Sequence, residues 1–157
     1  MSQNILYREE SYALIGACFE VYNRMGCGFL ESVYQECLAI ELEARGIPFE
    51  QQKELPLTYR DRLLASRFKA DFICFGTIIV ELKALSLSAD EHRCQVLNYL
   101  NATGLQLGVL INFGHHPKLE FERLVLTDKA DKPRLARLTD TNTFKRVDWQ
   151  PYSRQFA

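Results

Sequence analysis

The sequence is short of the features that classify a protein at a glance. Its apolar runs are brief, as in Phe72–Phe75 and, after a Gly76-Thr77 break, Ile78–Val80. None approaches the ~18 residues that would cross a bilayer as a helix. Charge of one sign is missing too: 19 Lys+Arg against 20 Asp+Glu leave −1, which excludes a strongly basic nucleic-acid coat. The opening MSQNILYREE holds no basic patch followed by an apolar stretch, so no signal peptide is expected. No pair among the five cysteines (Cys18, Cys27, Cys37, Cys74, Cys94) has Cys-x-x-Cys spacing, and an odd set with no such pair speaks against a zinc or redox motif. Most sit in apolar stretches, where cysteine behaves as a small hydrophobe. Free thiols in a reducing cytoplasm are expected, and no membrane partner. Repeats and low-complexity tracts are also absent.

What is present fits one globular unit. The chain has 157 residues, 47% apolar and 25% charged, within the usual range for a soluble domain. Residues 8–25 read as a helix, with Tyr12, Leu14, Ile15, Cys18, Phe19, Val21 and Tyr22 at three- and four-residue steps. A second helix runs from about Leu30 to Arg45, its stripe being Leu30, Val33, Tyr34, Cys37, Leu38 and Leu42; Gly46 and Pro48 end it. Strands are expected over 49–60, 63–74 and 78–85. Ser88, with Glu91 three residues on, is a capping box for a helix reaching Thr103. Strands at 106–113 and 119–126 follow, and residues 127–157 read as a polar, aperiodic extension. The order is a mixed α/β layer fold.

Charge is unevenly spread. Residues 1–117 carry 10 basic and 14 acidic side chains, and residues 118–157 carry 9 and 6. The basic end has the charge to touch phosphates, and an ordinary solvated surface is the plainer explanation. In the extension, Trp149, Tyr152 and Phe156 are interleaved with Arg146 and Arg154, a composition suited to stacking on bases or, more simply, to docking on the core or on another subunit.

Three charged residues interrupt the strands. In Ile78–Leu85, Glu81 and Lys83 are two apart and share a face, opposite Val80, Leu82 and Ala84. Asp71 interrupts the preceding strand between Ala70 and Phe72. A two-residue turn would set Asp71 opposite Val80, and a three-residue turn would set it opposite Glu81. Either way two carboxylates come within one register step, and they repel unless a cation or a proton lies between them. Mg²⁺ suits such a pair, since it takes one or two carboxylates plus waters and phosphate oxygens; Mn²⁺ is a substitute. Lys83, beside that ion, would orient or deprotonate a water or offset charge on a phosphoryl group. A cross-strand salt bridge on a solvated face is the plainer alternative. Glu31 is a third carboxylate, sharing a helix face with Tyr34 and Leu38, although the macrodipole alone favours an acid there. Gln95 and Tyr99, one turn apart, form a polar ridge; Tyr99 also suits plain packing. Arg67 and Lys69 alternate onto the face of Asp71, to meet a substrate backbone or to balance the carboxylates. His115-His116 reads as a solvated loop, and His92 as a surface residue one turn before Gln95.

Gly28-Phe29-Leu30-Glu31-Ser32-Val33-Tyr34, Asp71, Glu81-Leu82-Lys83, Gln95-Val96-Leu97-Asn98-Tyr99 and Gly108–Gly114 together resemble the GxxExxY protein family of the PD-(D/E)XK nuclease superfamily. The resemblance covers about 8–126 and departs from the pattern at Ala70, where that superfamily has proline. It implies a central mixed β-sheet flanked by helices, a restriction-endonuclease-like αβββαβ core with an extra N-terminal helix. It implies Asp71 and Glu81 as metal ligands with Glu31 beside them, and Lys83, Glu31 and Gln95 as the catalytic set. Arg67, Lys69 and Tyr99 would contact nucleic acid. The expected activity is Mg²⁺-dependent hydrolysis of DNA phosphodiesters, with RNA an alternative substrate and a homodimer a way to cut two strands. The rival reading is a catalytically weak nucleic-acid- or protein-binding module on the same fold.

Overall fold

The computed structural model describes residues 5–86 and 90–126, and the backbone of 144–146. The element order is α1 (Arg8–Met25), α2 (Glu31–Ala44), β1 (Phe49–Tyr59), β2 (Arg62–Cys74), β3 (Ile78–Lys83), α3 (Asp90–Thr103), β4 (Leu107–Asn112), β5 (Glu120–Leu126) and β6 (Phe144–Arg146). The strands form one mixed sheet in the order β1-β2-β3-β4-β5-β6. Only β3 and β4 run parallel among these neighbours. A parallel pair needs a crossover, and α3 supplies it.

The two faces have separate cores. Leu14, Cys18, Leu38 and Leu42 of α1 and α2 pack with Phe72, Val80, Leu82, Val109 and Ile111. Val96, Leu97 and Leu100 of α3 pack with Ile79, Leu110 and Leu124 on the opposite face. Strands β3 and β4 are therefore buried on both sides, as parallel strands under helices are. The Val96 side chain of α3 packs directly on Gly108 of β4, where a Cβ would lie 2.3 Å from Val96 Cγ1.

The expected element order and mixed α/β fold hold, with three corrections. Leu30 caps α2 and is 75% exposed, so it does not join the buried stripe. The third strand does not present a charged open face: α3 covers it, and Glu81 is buried. Phe144–Arg146, read as aperiodic, pairs antiparallel with β5. The Ser88 cap and the side chains Trp149, Tyr152, Arg154 and Phe156 lie outside the described residues.

Candidate metal centre

The β2–β3 hairpin decides where the carboxylates meet. Its partners are Phe72 with Val80, Ile73 with Ile79 and Cys74 with Ile78, which is the three-residue turn. One step further, Asp71 comes opposite Glu81, and there the ladder ends. Leu82 N–H donates to Asp71 Oδ2 at 2.8 Å, and Asp71 N–H donates to Glu81 Oε1 at 3.3 Å. The strands separate at this point, and two side-chain carboxylates take over backbone donors. Asp71 and Glu81 are 8% and 4% exposed. Burial first, and the neighbouring Asp71 second, push the Glu81 carboxyl up to about 8. A carboxyl held that far above its ordinary range is paired with a proton at neutral pH, or with a cation that displaces it.

Helix α2 closes one side. Glu31 opens the helix, and burial raises its pKa, opposed by Lys83 and reinforced by Asp71. The charges of the site thus converge on Glu31. Its place is set by Tyr34, whose hydroxyl donates to Gly26 O at 2.5 Å and accepts from Phe29 N–H at 3.3 Å. The Tyr34 ring stacks on Phe113, centroids 4.6 Å apart at 9°, a contact worth about 0.5–1.5 kcal/mol beyond area burial. In Gly-x-x-Glu-x-x-Tyr, then, the tyrosine pins the loop and the glutamate faces the site.

Helix α3 closes the other side. Gln95 Nε2 donates to the Tyr99 hydroxyl at 2.6 Å, and burial and then the charge of Glu81 raise the Tyr99 pKa. Gln95, Tyr99, His92 and Phe68 help line a cleft of about 540 Å³ between α3 and the β1–β2 hairpin.

Lys83 ends β3, and its surroundings are fixed by Asn112, its partner on β4. Asn112 Oδ1 accepts from Leu85 N–H at 2.9 Å and Gly114 N–H at 3.0 Å, and Nδ2 donates to Leu85 O at 2.8 Å. Gly114 permits this crossing, since a Cβ there would lie 2.4 Å from Leu85 N.

Sequence reasoning passed over Asn112 and two further residues. Gln35 Nε2 donates to Asp71 Oδ1 at 2.8 Å, and Gln52 Nε2 reaches the same oxygen at 3.3 Å. Gln35 lies one turn after Glu31, a spacing that places both on one face. Gln52 left no periodic signal, because its backbone is left-handed (φ 53) at a gap in the β1–β2 ladder opposite Asp71. Arg67 and Lys69 are exposed beside the hairpin: Arg67 donates to Leu64 O at 2.7 Å, and Lys69 lies 3.9 Å from Glu54. His115 lies against Lys118 O and Glu120, and His116 faces Cys27 Sγ at 3.9 Å. All five cysteines are free.

Among the described residues no three His, Cys, Asp or Glu side chains gather as a metal-binding group. The donor set is the Asp71–Glu81 pair, with Glu31 adding charge at its edge. Two carboxylates with open positions suit Mg²⁺ or Mn²⁺, which keep water and phosphate ligands. Zinc, with nitrogen and sulfur preferences, finds no such donors here.

The model of a PD-(D/E)XK nuclease superfamily family matches residues 8–124. The chain belongs to this superfamily. Its members generally use divalent metals, which agrees with the carboxylate pair. Among solved structures, the chain is similar to the crystal structure of SSO0001, at 16% identity and a TM-score of 0.51. That match covers 69% of this chain and 55% of the other, so this chain spans about half the length of that relative. At such identity the likeness shows the fold alone. No curated protein matches the chain. No helix among the described residues is long and apolar enough to cross a membrane.

Proposed function

We propose that the protein is a Mg²⁺-dependent nuclease that hydrolyses phosphodiester bonds of DNA, with Mn²⁺ as a substitute metal. The observation that carries this reading is the buried, like-charged pair Asp71 and Glu81 where β2 and β3 separate, with Lys83 two residues beyond. Asp71 and Glu81 would hold the ion, with Glu31 helping directly or through a water. When bound, the ion supplies a water of lowered pKa and draws charge from the phosphate. Lys83 positions that water and offsets charge on the phosphoryl oxygens. Gln35 and Gln52 hold one Asp71 oxygen in place, and Gln95 fixes the Tyr99 hydroxyl, which feels the charge of Glu81. Arg67, Lys69 and Tyr99 would meet the nucleic-acid chain. The free cysteines suit a cytoplasmic protein, residues 127–157, apart from the paired Phe144–Arg146, would serve as a tail or partner-binding arm of the nuclease unit, and a homodimer would present two sites to two strands. RNA is the alternative substrate.

A binding module with little turnover is the second reading, and the modest net charge of −1 favours it over a vigorous non-specific nuclease. Calorimetric titration and a cleavage assay separate the two. The wild type should bind Mn²⁺ and cut DNA. Asp71→Ala should lose the ion. Lys83→Ala should keep the ion and the fold while cleavage falls by about 10²–10⁴. Metal binding without cleavage of single-stranded, duplex or branched DNA or RNA would leave the binding module, and no metal binding would remove both the ion and the enzyme.

A further inference from the structure

The outer half of the β1–β2 hairpin has no core of its own. Strand β3 pairs with β2 only from Phe72 to Cys74. Outward from there β1 and β2 have each other alone among the described strands. Residues 58–67 are all exposed, including Tyr59 at 65%, Leu63 at 60% and Leu64 at 38%. The hairpin closes through Arg60 and Asp61, both left-handed (φ 46 and 61), between paired Tyr59 and Arg62. That is a two-residue turn of the kind that follows the natural strand twist. A two-stranded ribbon is marginal in water by itself, so this one is made for a partner.

Its charge says which. The exposed distal residues 56–67 hold Arg60, Arg62 and Arg67 against Asp61, a net +2 in a chain of net −1, whereas Lys53 and Lys69 nearer the core lie beside Glu50 and Glu54. This basic projection leads outward from the carboxylate pair. It is also held at a set angle. Phe68 stacks on Tyr99 of α3, centroids 4.1 Å apart at 3°, and Leu55 is buried in the α3 core. From Asp71 to Asp61 the strand runs about 33 Å at ~3.3 Å per residue, close to one turn of B-form DNA, about 34 Å. A two-stranded ribbon fits a major groove about 12 Å wide.

We propose that the distal ribbon, residues 56–67, is a docking arm for double-stranded nucleic acid. It lies in the major groove of the DNA duplex beside the phosphate presented to Asp71 and Glu81. Arg60 and Arg62 contact phosphates, and Tyr59 and Leu64, which share the face of Arg62, lie against sugars and base edges. This rests on the nuclease reading and names its substrate class: a duplex arm on one side of the cut. A second copy of the chain is the lesser occupant, because Arg62, Arg67 and Lys69 on β2 would repel their own images across a paired edge.

The test uses full-length protein carrying Lys83→Ala, so that the DNA stays intact, with Mg²⁺ and a fluorescent 20-base-pair duplex between 50 and 200 mM salt. These conditions are chosen as about the range over which phosphate binding is read. Adding Arg60→Ala and Arg62→Ala should weaken binding at least about tenfold and make the log K against log salt line shallower by about 2, near 0.9 for each phosphate that is no longer neutralised. Mn²⁺ titration and circular dichroism should not change, which separates loss of the arm from loss of the metal centre or the fold. An unchanged affinity and slope would overturn the arm while leaving the nuclease reading intact. So would a protein that binds no duplex yet cuts single strands. A concentration-dependent dimer that Leu63→Asp dissociates, with duplex affinity unchanged, would assign the ribbon to self-association instead.

Discussion

One row of the sheet holds two buried glutamates with opposite surroundings. Glu81 on β3 and Glu122 on β5 both pair with Leu110 of β4, one on each side. They are 4% and 6% exposed. Glu122 accepts two hydrogen bonds from Arg93 of α3, at 2.5 and 2.9 Å, and Arg93 also contacts Asp90. Glu81 has no such arginine; its near neighbour is another carboxylate. The first arrangement is complete within the chain and ties α3 to the sheet. The second is incomplete until a proton or a cation arrives. Burial of an acid therefore does not mark a site; burial of an acid against its own charge does.

The largest expected effect tests the complete member of this pair. Arg93→Ala removes the guanidinium that donates to both oxygens of buried Glu122, and breaking such a pair costs about 3 kcal/mol or more. Denaturant unfolding should show that loss with or without metal. If Arg93→Ala unfolds at the wild-type midpoint, Glu122 is not held by its arginine and the contrast with Glu81 disappears.

The incomplete member should show itself through pH. The Glu81 carboxyl titrates near 8 in the fold, against an ordinary 4.5. Between those values the folded protein holds a proton that the unfolded chain has lost. Stability without metal is therefore full below the ordinary value, falls as pH rises through this window, and levels off above about 8. The limiting slope is about 1.4 kcal/mol per pH unit. Glu81→Gln keeps an oxygen acceptor for Asp71 N–H and carries no charge, so its profile should be flatter, and at pH 9 with a chelator it should be the more stable protein. Saturating Mn²⁺ should restore wild-type stability at high pH and leave Glu81→Gln nearly unaffected. A wild-type profile as flat as the variant's would mean that neither burial nor Asp71 raises the Glu81 carboxyl.

Much of this arrangement was legible in the chain. The apolar steps of 8–25 and the Gly46-Pro48 stop place α1 and α2 to within a residue or two, because each helix buries one stripe. Asp71 and Glu81 were visible because charge inside a β-rich run breaks alternation. Their exact opposition was not, since it depends on whether Thr77 belongs to the turn, a choice made by the Thr77 N–H bond to Cys74 O at 3.1 Å. Asn112 and Gln52 escaped for a different reason. Each acts on backbone or side chains far away in sequence, and neither spacing nor hydropathy records such contacts. The Phe144–Arg146 strand escaped because a three-residue edge is too short to show a period.

The smallest effect concerns Gln52, and it sharpens the contrast between strain at a turn and strain at a site. Arg60 and Asp61 are left-handed where a hairpin turn calls for it, whereas Gln52 is left-handed in the middle of β1 (φ 53). That conformation costs a non-glycine residue about 1–2 kcal/mol. Its return is an amide aimed at Asp71 Oδ1 and at Gln35 Oε1, 3.3 and 3.2 Å away. Gln52→Gly removes both the strain and the amide. Stability should then rise by about 0.5–1 kcal/mol, while Mn²⁺ affinity falls severalfold because one Asp71 oxygen loses a donor that holds it. Gln35→Ala should weaken the metal without the gain in stability, since Gln35 sits in ordinary helix. If Gln52→Gly lowers both stability and affinity, the left-handed residue is supported by its neighbours and β1 stores nothing at this position.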